Sequence, residues 1–403
     1  MTRRMRRIAG LLGPAFVAAV AYVDPGNFAA NFSAGAQHGY LLLWVLVAAN
    51  LMAMVVQYLS AKLGIVTGKS LPELMGERLH GKRRFWYWLQ AELVAIATDI
   101  AEVVGGALAL HLLFGLPLLL GGVITGVVSM LLLILYSRRD QKIFERVVIG
   151  LLLLLPIGFF AGLLQHPPEV SAMASGLVPR FAGHDTLLIA TAMLGATVMP
   201  HVVYLHSALS RDRFIGRKRS MIPGLLRATK IDILIAMLFA GIVNISMLLY
   251  AASAVRGQPS DTLEQIHASI AQVSGEGVAV LFALGLLISG FVSTAVGSQA
   301  GATIMAGLYD RHISLFWRRA ITVVPALVLL ALGIEPTTTL LISQATLSFG
   351  IPFALIPLLL LTAQSAVMAR FVNRRAVTYI AGIIALLCIT LNAGLVFFMI
   401  KGG

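Results

Sequence analysis

The sequence predicts an all-α membrane protein of about eleven transmembrane helices. Three observations predict it. Of 403 residues, 59% are hydrophobic and only 12% charged, whereas soluble domains average about 45–50% apolar and about 25% charged. The apolar residues form long continuous stretches of the length a membrane helix needs, about 20 residues. The basic residues cluster in every second connection between those stretches, which places them on one side. A β-barrel is disfavoured, because its strands would read as short alternating segments. The single Cys388 excludes an intrachain disulfide framework.

Spans 1 to 5 are read at 8–36, 40–66, 84–112, 117–136 and 142–164. Spans 6 to 11 follow at 184–210, 229–252, 274–304, 317–333, 336–363 and 377–400. The run of span 1 is long and lacks a clear small-residue cleavage site, so it is expected to be a retained span rather than a signal peptide. Runs longer than a bilayer needs imply tilt or extension of the helix beyond the membrane.

The connections set the orientation. Arg3, Arg4, Arg6 and Arg7 precede span 1. Lys62, Lys69, Arg78, Lys82, Arg83 and Arg84 surround the 2–3 connection, and Arg138, Arg139, Lys142 and Arg146 the 4–5 connection. The 6–7 connection carries Arg211, Arg213, Arg217, Lys218, Arg219, Arg227 and Lys230. Arg311, Arg318 and Arg319 mark the 8–9 connection, and Arg370, Arg374 and Arg375 the 10–11 connection. All but Arg180, Arg256 and Lys401 of the 30 Lys and Arg residues thus fall on one side. That side is expected to be cytoplasmic, with the N-terminus inside and the C-terminus outside. The net charge of +13 is therefore topological and calls for no nucleic-acid partner. The connections are too short for a large soluble domain, so one transmembrane domain over 1–403 is expected.

Two spans carry a breaker at mid-depth. Span 1 contains Asp24-Pro25-Gly26-Asn27, and span 6 contains Met199-Pro200-His201. Proline removes a backbone donor and clashes with the preceding turn. Carbonyls freed inside a membrane must find partners or line a cavity. The breaks lie five spans apart, each in the first span of its half. This spacing predicts two five-helix units of inverted topology, about 8–164 and 184–363, with an extra helix at about 377–400 and a substrate site between the broken helices.

The residue types at the breaks suit a cation. Asp24 is an acid in a membrane helix, costly unless paired, hydrated or protonated. Asn27 supplies an amide oxygen, Ala196 a carbonyl that the second break can free, and Met199 a thioether. Magnesium and calcium prefer all-oxygen sites. A thioether favours softer transition metals, which points to Mn²⁺, Fe²⁺ or a similar divalent ion.

These residues resemble the natural resistance-associated macrophage protein (Nramp) family, and within it the bacterial proton-coupled manganese transporters. Supporting stretches are Leu43-Trp44, Ala48 to Met54, Gln90-Ala91-Glu92, Asp99 to Glu102, Gly195 to Ser207 and Trp317-Arg318-Arg319. The resemblance implies a fold of the leucine-transporter type, alternating access and a bacterial inner membrane. It implies metal ligands at Asp24, Asn27, Met199 and the Ala196 carbonyl, with Gln344 of span 10 approaching in some states. Magnesium-transporting relatives lack the methionine. Ala30 departs from the family, which often has threonine there. The metal is expected as substrate, with no resident cofactor; protons and membrane lipid are the other expected partners. The oligomeric state stays open, a monomer being the simplest case.

Glu92, Asp99 and Glu102 share one face of span 3 by helical spacing. They could form buried pairs with span 9 arginines or a proton wire. The resemblance assigns Asp99 and Glu102 to the proton route and Arg319 to its cytoplasmic end, and places His201 near the metal and proton paths. A proton-linked or gating role is expected for His201, with ligation and structural hydrogen bonding the alternatives. His206 faces elsewhere, and with Gln57 and Asn244 is expected to make packing hydrogen bonds. The competing reading is an ion-coupled carrier of organic solutes such as amino acids on the same fold. A channel also stays open, though two broken helices favour a carrier. An enzyme is not expected. There is no His-Glu-x-x-His metalloprotease motif, and Gly68-Lys69-Ser70 lacks the first glycine of a phosphate loop at the required spacing.

Overall fold

The computed structural model describes residues 13–138, 150, 153–154, 156–216, 218–310 and 314–401, and all regular structure among them is helical. Seven helices are long and apolar enough to cross a membrane by themselves. They answer to spans 2 (Leu43–Thr67), 3 (Gly81–Phe114), 6 (His184–Thr197 with Pro200–Phe214), 7 (Ile222–Tyr250), 8 (Glu276–Tyr309), 10 (Pro336–Ala363) and 11 (Arg375–Lys401). Span 1 is not among the seven; its break divides it into Pro14–Ala21 and Pro25–His38, and its expected start at 8–12 lies outside the described residues. Span 4 is Leu118–Arg138 and span 9 is Leu315–Ala331. Span 5 is represented by Pro156–Gln165, and its expected start at 142–149 lies outside the described residues. So do Arg3, Arg4, Arg6 and Arg7. Short helices at Leu71–Arg78, Val170–Gly176 and Leu263–Ser274 occupy connections.

The burial pattern is that of a protein solvated by lipid. Leu234, Ile235, Leu238 and Ile242 of span 7 are exposed, as are Ile380, Ile383, Leu386 and Leu387 of span 11. Asp24, Asn31, Glu102, Arg319 and Gln344 are fully buried. Apolar groups outward and polar groups inward, where they can find partners, is the arrangement favoured when the surrounding solvent is hydrocarbon.

Spans that an inverted repeat would relate also pack together: span 2 against 7, span 3 against 8, and span 4 against 9. The first half of span 6 lies on span 10 and on the second half of span 1. Long-range contacts sort the connections into two faces. On one face, Arg211 after span 6 pairs with Glu73 before span 3. Arg84 lies 5.9 Å from the ring centroid of Tyr309, and Lys62 donates to Asn373 Oδ1 at 2.7 Å. These contacts draw the basic 2–3, 6–7, 8–9 and 10–11 connections together. On the other face, Gln37 donates to Ser260 O at 3.2 Å, Trp44 to Arg180 O at 3.3 Å, and Leu263 N to Thr337 Oγ1 at 2.9 Å.

Candidate functional site

Both breaks follow from missing donors. A helical carbonyl accepts from the N–H four residues on. Four residues after Ala21 stands Pro25, and four after Ala196 stands Pro200; neither has an N–H. The first half of span 1 ends at Tyr22, and the second half begins at Pro25 with Asp24 as its N-cap. Proline suits the first position of a helix, where its absent donor costs nothing. In span 6 the first half ends at Val198, and Met199 is the N-cap residue before Pro200.

The loosened backbone of span 1 is satisfied by side chains from distant helices. Asn244 of span 7 donates to Tyr22 O at 2.7 Å, and its Oδ1 accepts from Asn31 Nδ2 at 2.9 Å. Ser289 of span 8 donates to Val23 O at 2.5 Å. At the start of the span, Gly13 N and Ala15 N donate to the buried carboxylate of Asp232. Sequence reasoning did not single out Asp232, although an acid in the apolar run of span 7 was a signal for it.

The side chains at the two breaks converge. Asp24 Oδ1 accepts from Asn27 N at 2.7 Å and from Asn27 Nδ2 at 2.9 Å. Its Oδ2 accepts from Gln344 Nε2 of span 10 at 3.1 Å. Asn27 Nδ2 also donates across the gap to the freed carbonyl of Ala196 at 3.0 Å. The structure thus brings together four of the five expected ligand residues, Asp24, Asn27, Ala196 and Gln344. The fifth, Met199, is fully buried one turn beyond Ala196. A Cβ on Gly26 would collide with the Gln344 side chain, and one on Gly195 with the Gln344 carbonyl. Glycine on each broken span therefore lets span 10 approach.

Two acceptors in this cluster have no partner, Asn27 Oδ1 and Gln344 Oε1. Buried oxygens are normally paired, and an orphan costs about 1–3 kcal/mol. A cation would take up these oxygens. Turning the Asn27 amide end for end exchanges Nδ2 for Oδ1 with almost no change of shape, so the group that now bridges Asp24 and Ala196 can instead present oxygen beside both. The Ala196 carbonyl stands at the C-terminal, negative end of its half-helix, which also favours a cation. No group of three His, Cys, Asp or Glu residues able to hold a metal occurs among the described residues; this cluster has one acid and draws the rest of its donors from amides, backbone and sulfur.

A second buried cluster lies on span 3. Arg319, wholly inaccessible, donates through Nη1 to Asp99 Oδ1 at 2.5 Å and to Glu102 Oε2 at 3.0 Å. Its Nε reaches Ser129 Oγ at 3.0 Å and its Nη2 reaches Thr294 Oγ1 at 3.2 Å. Glu102 Oε1 has no partner. Arg318 Nη1 stands 2.8 Å from Glu92 Oε1. The acids of span 3 are therefore paired with span 9 arginines, leaving one carboxylate oxygen free. Span 3 packs against the break of span 1, where a Cβ on Gly105, three residues after Glu102, would collide with Pro25, the residue after Asp24. His201 Nδ1 lies 3.3 Å from Thr98 Oγ1, beside Asp99 in sequence, and its Nε2 is unpartnered. His206 instead bonds Gln57 at 2.6 Å, and Gln57 donates to the Tyr22 hydroxyl at 2.5 Å. His206, Gln57 and Asn244 thus make the packing bonds expected of them.

A helical membrane protein with two broken spans meeting at a buried, acceptor-rich cluster has the architecture of an ion-handling carrier. The comparisons agree in family and in fold. The chain matches the family described as natural resistance-associated macrophage protein-like over residues 15–398. It is 53% identical over 397 residues to the divalent metal cation transporter MntH of Mycobacterium tuberculosis, covering 97% of this chain and 92% of that one. A mutant of the Eremococcus coleocola manganese transporter superposes with a TM-score of 0.87 at 28% identity, covering 99% of this chain and 89% of that one. Mhp1, a transporter of the nucleobase-cation-symport-1 family, shares the fold alone, with a TM-score of 0.59 at 18% identity over 95% of this chain and 92% of that one. The chain belongs to the Nramp family. It is an integral membrane protein with the inverted-repeat transporter fold.

Proposed function

We propose that this protein is a secondary active transporter that imports divalent transition metal ions, Mn²⁺ and also Fe²⁺, together with protons, by alternating access. The observation that carries the reading is the pair of orphaned oxygens, Asn27 Oδ1 and Gln344 Oε1, flanking the Asp24 carboxylate beside the freed Ala196 carbonyl. The names of the Mycobacterium and Eremococcus relatives support the same substrate class.

In this mechanism the ion takes oxygen from Asp24, Asn27 and Ala196 and sulfur from Met199, with Gln344 closing from span 10. None of these residues reaches solvent in the structure, so entry and exit require the surrounding spans to part, and alternating access would open one side at a time. A divalent ion at Asp24 expels the proton that this carboxylate would otherwise carry. Glu102, with one oxygen free of hydrogen bonds, is the acceptor in this reading, and Asp99 and Arg319 extend the route. His201, at the start of the second half of span 6, serves as a proton-linked or gating group. The basic face is the cytoplasmic face of a bacterial inner membrane, with the N-terminus inside and the C-terminus outside.

The test is Mn²⁺ uptake into liposomes carrying the purified protein, with Ca²⁺ and Mg²⁺ as competitors and an internal pH dye. Saturable uptake that Ca²⁺ blocks poorly, accompanied by internal acidification, is the expected result. Uptake without acidification would remove the proton coupling and keep the metal site. No metal flux from folded protein would favour an organic substrate.

A further inference from the structure

A cavity of about 690 Å³ opens on the basic face between spans 2, 7 and 11. Its volume lies within the range of small-molecule sites, roughly 300–1,000 Å³. Four cations line it: Lys62 from span 2, Lys230 from span 7, and Arg370 and Arg374 from the 10–11 connection. No carboxylate lines it. Among the described residues none of the four cations is paired with an acid.

The cations are arranged rather than scattered. Lys62 is buried, and its ammonium is held by Asn373, which is itself fixed by Thr362 at 2.8 Å. Lys230, Arg370 and Arg374 are exposed around it. Below the charges the walls become apolar, with Ile233 on one side and Val377 and Ile380 on the other. Further along the same two helices, spans 2 and 11 flank a second crevice, lined by Ala48, Met52 and Leu391 among others. The sequence alternation accounts for cations on this face, but not for four of them around one apolar-walled cavity.

We propose that this cavity binds one anionic phospholipid, with its phosphate among Lys62, Lys230, Arg370 and Arg374 and its acyl chains along the walls of spans 7 and 11. The chemistry is that of basic pockets between transmembrane helices, where a charged headgroup is neutralised while the chains stay in hydrocarbon. A bound lipid would fill the gap between span 11 and span 2. The inference rests on the membrane location alone and not on metal transport, so failure of the uptake assay would leave it standing.

The experiment is native mass spectrometry of the full chain in detergent, titrated with phosphatidylglycerol and with phosphatidylcholine. The variant is Lys230→Gln, Arg370→Gln and Arg374→Gln together, which spares the buried Lys62. A control variant, Lys218→Gln, Arg219→Gln and Arg227→Gln, removes the same charge from the same face outside the cavity. Wild type should hold one phosphatidylglycerol in preference to phosphatidylcholine. The cavity variant should bind it about a hundredfold more weakly, and the control within about threefold of wild type. The single changes Arg370→Gln and Arg374→Gln, each expected to weaken binding about fivefold, decide the matter if the triple variant does not fold. Equal loss in cavity and control variants, unchanged binding in the cavity variants, or equal retention of phosphatidylcholine would overturn the proposal. Displacement of the lipid by glycerol phosphate at equal concentration would assign the cavity to a soluble phosphate instead, and would also overturn it.

Discussion

Replacing Asp24 by asparagine separates the two things that this carboxylate does. The new amide oxygen keeps both bonds from Asn27, now 2.7 and 2.9 Å long. The new NH₂ falls where Gln344 Nε2 now donates at 3.1 Å. Turning the Gln344 amide brings its unpartnered Oε1 to that position and satisfies both groups. In the empty carrier the proposed function puts a proton on this carboxyl, so the amide replaces one neutral hydrogen-bonding group by another of nearly the same shape and exchanges bonds of about 1 kcal/mol each. Folding stability should therefore change by no more than about 1–2 kcal/mol. Metal binding should not survive. A divalent ion about 2.2 Å from a carboxylate gains about 15 kcal/mol at an effective dielectric of about 20. Dehydration returns most of that, yet a remaining fifth, about 3 kcal/mol, is more than a hundredfold in Kd. The assay is Mn²⁺ titration of the detergent-solubilised variant beside its thermal melting, followed by liposome uptake. A Kd within threefold of wild type, with saturable uptake, would refute the assignment of Asp24 as a ligand.

Met199→Ala should erode discrimination against Ca²⁺ and Mg²⁺ in competition uptake and cost about 2–5 kcal/mol of stability by leaving a cavity. Met199→Leu, which conserves volume, should lose the same selectivity at under about 1.5 kcal/mol; unchanged selectivity in the leucine variant would make Met199 a packing residue. Gly26→Ala should push Gln344 off Asp24 and weaken Mn²⁺ binding about tenfold, as loss of one hydrogen bond to a charged group implies; unaltered binding would show that Gln344 contributes nothing. Glu73, in the connecting helix Leu71–Arg78, has its carboxyl below the usual range. Burial raises it, but the Ser70 N–H and hydroxyl together with Arg211 lower it further. An acid depressed in the folded state stabilises above its unfolded value, about 4.3, and loses that stabilisation as pH falls through its folded value. The melting-temperature gap between wild type and Glu73→Gln should thus be constant above about pH 5 and close below about pH 4; a gap independent of pH would exclude the linkage.

The spans and their breaks were legible because hydropathy and proline act locally. Asp24 and Asn27 were legible as donors at one break for the same reason, being three positions apart in the chain, although the hydrogen bonds between them were not foreseen. What escaped was whatever depends on the approach of distant helices. Ser129, Thr294 and Ser289 bond the Arg319 guanidinium or a loose carbonyl, but a lone hydroxyl in an apolar run reads as filler. Gln344 came to notice through family resemblance alone, for nothing in its own neighbourhood marks it. The paired acids of span 3 show a different gap: spacing put them on one face, the contacts of Arg318 and Arg319 bear out the ion pairs among the two readings offered for that face, and the proton route belongs to the proposed function.

The two breaks differ in how they are braced. Span 1 is fastened at Tyr22 and Val23 to spans 7 and 8. At Ala196 the freed carbonyl of span 6 is held instead by Asn27 Nδ2, a side-chain hydrogen bond that joins the two broken spans. On the proposed function, an arriving ion needs both that carbonyl and the Asn27 oxygen. Loading thus removes a covalently anchored strut and puts the cargo in its place. An empty carrier is held shut by its own amide and a full one by its passenger. Between the two, with the amide turned and the ion gone, the broken spans are left with their packing contacts and without this bridge.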